Sequence, residues 1–216
     1  MVVIGIIGVM LERLIFRPLQ GMVMPVIIAS VGLMQVIEQS ALLGFGTLEK
    51  VTPNPFPGIL HFWGTVFPAQ RLVVMFIAIS LTAVLVWWVQ KTKTGLALRA
   101  VALDSETASL YGISLSRYGS LAFAIGCALA GAAGALVAPM FKIDPFMGNA
   151  PLMKIFIIIV IGGLGSIPGA ILGGLVIGFI DSVIATLFDS VIATMVGFTM
   201  IIIVLIFKPT GFFGHE

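Results

Sequence analysis

Long apolar runs alternate with short polar joints along this chain, and the runs set the elements. Apolar blocks at 1–16, 23–43, 72–89, 120–141, 153–163, 167–187 and 190–207 each read as a helix. A bilayer core about 30 Å thick needs roughly 20 apolar residues per helical crossing, and several blocks meet that length. Trp87 and Trp88 close the third block, where indole rings favour the membrane interface. The blocks at 153–163 and 167–187 are joined by a glycine-rich word, and their pattern fits either two short helices or one broken hairpin. Short or glycine-interrupted apolar segments occur where backbone faces a cavity rather than lipid.

Composition agrees with this pattern. The chain is 60% hydrophobic and only 9% charged, with mean hydropathy +1.21; soluble domains carry about 25% charged residues. The expected fold class is all-α, a polytopic transmembrane helical bundle forming a single domain over 1–216. A formal net charge of +2 gives no reason to expect nucleic acid. The single Cys127 sits in an apolar run, which excludes a disulfide framework or a cysteine metal site. His61 and His215 lack partners at ligand spacing, so no metal site is expected. There is no Ser/His/Asp or Cys/His set and no Gly-rich Lys loop of the ATP-binding kind, so neither catalysis nor a bound cofactor is expected. Residue 1 opens directly into an apolar run too short to span before Glu12, and its Arg residues follow rather than precede it. The first block therefore reads as the end of a helix whose start is missing.

Alternating crossings place Arg13, Arg17, Lys91, Lys93, Arg99, Arg117 and Lys208 on one side and Lys50, Arg71, Lys142 and Lys154 on the other. The first group is the larger, so that side is expected to be cytoplasmic. The stretch 45–70 then falls outside, with the turns around 142–151 and Asp189. Pro53, Pro55, Pro57 and Pro68 make 45–70 irregular, and its GILHFWGTVF portion has the composition to lie flat on the membrane surface.

The inner joint 91–117 stands apart. Lys91, Lys93, Arg99, Asp104, Glu106 and Arg117 all fall within it. Asp104 is placed to cap a short helix by accepting backbone N–H bonds, and Glu106 in the first turn suits the positive end of the helix dipole. Gly112 fits the left-handed position that closes a helix, with Ile113 packing back on it. The product is about two turns, roughly 10 Å long, with a hydrophobic tip at Leu110, Tyr111 and Ile113. Small Thr107, Ala108 and Ser109 leave room for another surface. Such a helix can seat in a groove of a partner and transmit a push. Taken alone, the same residues also fit an ordinary connecting loop.

Candidates for a solute path are fewer. Gln35, Glu38 and Gln39 share one helix face by their spacing. Glu38 lies about 22 Å along its helix, and a carboxylate at that depth must face protein or water. Asp181 lies at similar depth on its own block. The Gln35, Glu38 and Gln39 face fits a path lining, an interhelical hydrogen-bond cluster or a helix end reaching outward. Asp181 fits a path lining, a polar layer shared with Glu38 or a side chain reaching the outer interface. Gly163, Gly165 and Ser166 belong to the glycine word, which fits close helix packing or exposed backbone lining the path.

Glu106-Thr107-Ala108 with Gly112 resembles the Glu-Ala-Ala-three-residues-Gly motif of ABC importer permeases, with Thr107 departing from the usual Ala. The words ERLIFRPL (12–19), KTKTGLALRAVALD (91–104), FAIGCALAGAAGALVAP (123–139), IGGLGSIPGAILGG (161–174) and KPTGFFG (208–214) run in the order of the branched-chain amino acid permease family, LivH type. The resemblance covers nearly the whole chain. It implies a multi-pass permease subunit of the bacterial inner membrane that is not an enzyme. It also implies a paired LivM-type permease subunit, two cytoplasmic ATPases that bind the ATP, and a periplasmic solute-binding protein. The motif helix would couple to the ATPase through Asp104, Glu106, Thr107, Ala108, Leu110, Tyr111, Gly112 and Ile113. Family members run longer at the N-terminus, which matches the clipped first block. The implied substrates are leucine, isoleucine and valine; urea, short amides and other amino acids are also carried within the family. Two other readings stay open: an ion-coupled secondary transporter working through Glu38 or Asp181, and a truncated remnant that does not transport.

Overall fold

The computed structural model describes residues 1–19, 22–52, 58–62, 65–163 and 165–208. Pro53, Pro55 and Pro57, His215 and the tail 209–214 lie outside the described residues. The described chain is helical apart from one small ribbon. Four of its helical segments are long and apolar enough to cross a membrane: Met24–Phe45, Ala69–Lys91, Leu115–Met140 and Ile167–Leu187. Helices Asn149–Gly162 and Ser190–Phe207 are shorter and equally apolar. The segments divide between two compact units, Met1–Pro145 and Phe146–Glu216.

In the first unit, α1 (Val2–Leu11) runs into one π-helical turn, Glu12–Phe16, and then a short 3-10 turn, Arg17–Leu19. Helix α2 (Val23–Phe45) follows. The strands β1 (Ile59–Phe62) and β2 (Thr65–Pro68) pair antiparallel, with Ile59 opposite Pro68 and Phe62 opposite Thr65. Within the GILHFWGTVF segment, Ile59–Phe62 and Thr65–Pro68 are thus paired strands, and the pairing satisfies their backbone groups. Beyond it come α3 (Ala69–Lys91), α4 (Lys93–Leu103), α5 (Ser105–Leu110) and α6 (Leu115–Val137), which ends in a 3-10 turn, Ala138–Met140.

The tightest seam of this unit joins α1 to α6. A Cβ added at Gly8 would stand 2.7 Å from the Cβ of Cys127, and one at Gly131 would stand 2.3 Å from Cδ1 of Ile4. A methyl at Gly8 would meet the Cys127 Cβ and one at Gly131 the end of the Ile4 side chain, so the two helices interlock through small residues, as apolar helices in lipid do. The rings of Phe16 and Phe123 meet at 5.1 Å at the end of the same seam. On the far side of the unit, Lys50 and Ile143 form an isolated antiparallel bridge, reinforced by the Lys142 ammonium 2.5 Å from Glu49 Oε2. The bond that Lys142 donates to Glu49 holds the Lys142 pKa above its ordinary value.

The second unit comprises α7 (Asn149–Gly162), α8 (Ile167–Leu187) and α9 (Ser190–Phe207). The stretch 153–187 is therefore two helices. Between them, Gly163 and Gly165 take φ of +93° and +85°, the left-handed region that glycine enters without penalty. Ser166 caps α8 by accepting the Gly169 N–H at 3.1 Å. Ile157, Ile161, Ile177, Ile201 and Val204 form the core, with Met200 packed against it. Where α7 ends, Gly162 lies so close to the Gly169 backbone that an added Cβ would fall 2.4 Å from its carbonyl oxygen. Backbone packing accounts for this part of the glycine word.

Candidate functional site

The polar joint folds into two helices rather than the single short helix expected. Thr92 ends α3 and starts α4: its hydroxyl donates to the Trp88 carbonyl at 2.7 Å and accepts the Gly95 N–H at 3.0 Å. Gly95 lets the chain fold back on itself, since a Cβ there would collide with the Val89 backbone. The three-turn α4 was not anticipated because KTGLALRAVAL is short and mixes cations with apolar residues. The Thr-x-x-Gly pattern at its start was the available signal.

Asp104 is the N-cap of α5, as its position suggested. Its Oδ1 accepts the N–H groups of Glu106 at 3.0 Å and Thr107 at 3.1 Å. The Thr107 hydroxyl donates a short hydrogen bond to Oδ2. These bonds, with the Thr107 hydroxyl first, push the Asp104 pKa below its ordinary value near 3.8. The one departure from the motif, Thr for Ala at 107, thus adds a second arm to the cap. At the other end, Gly112 has φ +79°. Its N–H donates to the Ser109 carbonyl at 3.0 Å, while the Ile113 N–H reaches the Ala108 carbonyl at 3.2 Å. This pair of bonds is a Schellman closure.

Leu110 and Tyr111 are 83% and 82% exposed, so the hydrophobic tip points away from the unit. Of the small residues of α5, Ala108 is buried where the helix meets α4, while Thr107 and Ser109 are exposed. Between the two helices runs an open apolar groove of about 660 Å³, bordered by Leu96, Ala97, Ala100, Ala108, Tyr111 and Ile113. Leu96 and Leu103 of α4 are also exposed.

The path candidates lie in both units. On α2, Glu38 is buried at 8% exposure, whereas Gln35 and Gln39 on the same spacing are exposed. In the second unit, Asp181 accepts a hydrogen bond from the Lys154 ammonium at 2.6 Å. The pairing of α7 with α8 brings these two charges together, and Lys154 had not been singled out from the sequence. Gly163, Gly165 and Ser166 serve the turn and the α8 cap. A further buried carboxylate, Glu12, stands in the π-helical turn at 3% exposure, with the Ser120 hydroxyl of α6 at 2.5 Å. Its place inside ERLIFRPL carried no pattern that marked it. Among the described residues, no group of three His, Cys, Asp or Glu side chains is arranged to hold a metal ion.

A family model described as "Branched-chain amino acid transport system / permease component" matches residues 1–206. The high-affinity branched-chain amino acid transport system permease protein BraD of Pseudomonas aeruginosa is 32% identical over 99% of this chain and 72% of its own length. LivH of Escherichia coli K12, a permease protein of the same description, is 30% identical over 96% of this chain and 70% of its own. The fructose import permease protein FrcC of Rhizobium meliloti is 28% identical over 73% of this chain and 47% of its own. No solved structure matches the chain. With its membrane-crossing helices and this near-complete match, the chain is a multi-pass membrane protein that belongs to the branched-chain amino acid transport system permease family.

Proposed function

We propose that this chain is the membrane subunit of an ATP-driven importer of leucine, isoleucine and valine. The reading places it in the bacterial inner membrane beside a LivM-type permease. Two cytoplasmic ATPases and a periplasmic binding protein complete the assembly. The observation that carries the reading is α5: a helix fixed at both ends by Asp104 and Gly112, presenting exposed Leu110 and Tyr111 beside an apolar groove on the face expected to be cytoplasmic. Exposed apolar side chains at the tip of a rigid helix are what a partner's groove recognises.

The same geometry gives force a route. Only Tyr111–Ser114 separates α5 from α6, and the Ile113 N–H binds back to α5. A push on α5 therefore moves the foot of α6 as a lever. The α1–α6 seam has no slack to absorb that motion, because packed interfaces hold discrete arrangements rather than deforming continuously. ATP binding and hydrolysis in the partners bias the two arrangements, and the membrane subunit itself makes and breaks no covalent bonds.

The test is co-purification and uptake in proteoliposomes holding all the subunits. Replacing Leu110 and Tyr111 together by Asp is expected to release the ATPases while leaving the permease inserted. Gly112→Pro, which demands a negative φ where the chain has +79°, and Glu106→Lys are expected to leave ATP hydrolysis running without uptake. Normal leucine uptake in all three variants removes the coupling role of α5.

A further inference from the structure

The apolar helices of the second unit hold a charged pair, Lys154 and Asp181. Lys154 lies five residues into α7, about 8 Å from its start, and Asp181 lies six residues before the end of α8, about 9 Å from it. Both sit within apolar helical sequence, where an isolated charge is costly. The ammonium and carboxylate answer each other at 2.6 Å and remain partly open. They border a cavity of about 140 Å³ whose other walls include Ile157, Ile177, Ile180, Ala193, Gly197 and Phe198.

We propose that Lys154, Asp181 and this cavity form a binding site for a zwitterionic amino acid with a branched aliphatic side chain. The proposal rests on the importer reading and names where in the chain the amino acid is held. On binding, the α-carboxylate takes the Lys154 ammonium and the α-ammonium takes the Asp181 carboxylate. One ion pair becomes two, and net charge stays at zero throughout. A simple anion or cation satisfies one partner and strands the other, which is costly in a low-dielectric setting. Urea, an amide or a sugar brings no charge to either. The volume selects in the same direction: an apolar cavity of about 150 Å³ holds benzene, six heavy atoms, so a four-carbon side chain fits and an indole does not. Both charges lie near the helix ends that the distribution of Lys and Arg places on the outer side, where the solute arrives.

The experiment is equilibrium binding of radiolabelled L-leucine to the permease–ATPase complex in nanodiscs, without the periplasmic binding protein. The competitors are 3-methylbutan-1-amine, which lacks the carboxylate, and 4-methylpentanoate, which lacks the ammonium. With the wild type, each analogue is expected to compete about tenfold more weakly than leucine, the loss of one charge-assisted contact. Lys154→Met is expected to weaken leucine about as much while leaving the amine unweakened; Asp181→Asn is expected to do the same for leucine while sparing the acid. Ala193→Leu, which fills the cavity, is expected to lower leucine binding more than alanine binding. Ratios between ligands in one preparation cancel differences in the amount of folded complex. The clamp is overturned if a complex that imports leucine shows no discrimination between leucine and its analogues, or if both single variants weaken all ligands equally. It is equally overturned if the exchange Lys154→Asp with Asp181→Lys restores leucine binding in full, since a purely structural pair tolerates reversal. If the wild-type complex imports no amino acid at all, the importer reading falls, and the clamp with it.

Discussion

At the scale of single residues, the informative position is Thr107, where the chain departs from the motif it resembles. Its hydroxyl gives Asp104 a second bond, so the carboxylate holds α5 through one oxygen on the backbone and the other on a side chain. Thr107→Ala is expected to leave the helix formed but quicken amide hydrogen exchange in its first turn, and Asp104→Ala to quicken it further. Hydrogen–deuterium exchange of the purified permease, read on peptides covering 104–113, measures both. The pH dependence follows from the direction of the Asp104 shift. A carboxylate whose folded pKa is depressed contributes stability above its ordinary value near 3.8 and loses it as pH falls through the lowered folded value. The wild-type cap is therefore constant across the neutral range and loosens only in strong acid. Protection of 104–113 that changes between pH 6 and 8 with the rest of the chain unchanged contradicts this account of the cap.

At the scale of elements, apolar run length was enough to locate the membrane helices, because a crossing must be long and apolar whatever it packs against. The edges were less legible. Helix α6 begins at Leu115 rather than 120, and α7 at Asn149 rather than 153. The turn Leu115-Ser116-Arg117 joins the helix although Ser116 and Arg117 are polar, because extending a formed helix adds one hydrogen bond per residue fixed whatever the polarity of the side chain. The caps of α5 were readable, since Asp and Gly act through local chemistry. Helix α4, the Lys154–Asp181 pair and the inward turn of Ala108 were not, since each depends on which element lies alongside. The α1–α6 seam is of this kind, and it makes a prediction. Gly131→Ala drives a methyl into the end of Ile4, and overpacking of this sort costs about 1–3 kcal/mol. The obstacle is mainly a side-chain terminus, so Ile4→Ala in the same chain is expected to recover much of the loss. A thermal-unfolding double-mutant cycle reads the coupling. Strictly additive effects would show that the two helices do not meet there.

At the scale of the whole molecule, the coupling role depends on which side of the membrane each joint occupies. The cationic residues favour an inner location for 91–117 and an outer one for 45–70. Within the first unit, the structure adds a consistent detail: Glu49 and Lys50, beyond the end of α2, meet Lys142 and Ile143, beyond the end of α6. Two joints tied by a backbone bridge and an ion pair must emerge on the same face, so assigning either one assigns both. The opposite ends of those helices are then committed together as well, with the π-helical turn Glu12–Phe16 near the start of α2 and α5 just before α6. An impermeant maleimide tests this in a Cys127→Ala background, which keeps the Cβ that packs beside Gly8. Leu48→Cys, at a site 79% exposed, is expected to label in right-side-out membrane vesicles. Ser109→Cys, on the exposed side of α5, is expected to label only in inverted ones. Labelling of both from the same face breaks the crossing count between α2 and α6. Labelling with the two faces exchanged keeps the count but puts α5 out of reach of any cytoplasmic ATPase, which removes the coupling role whatever the chemistry of its tip.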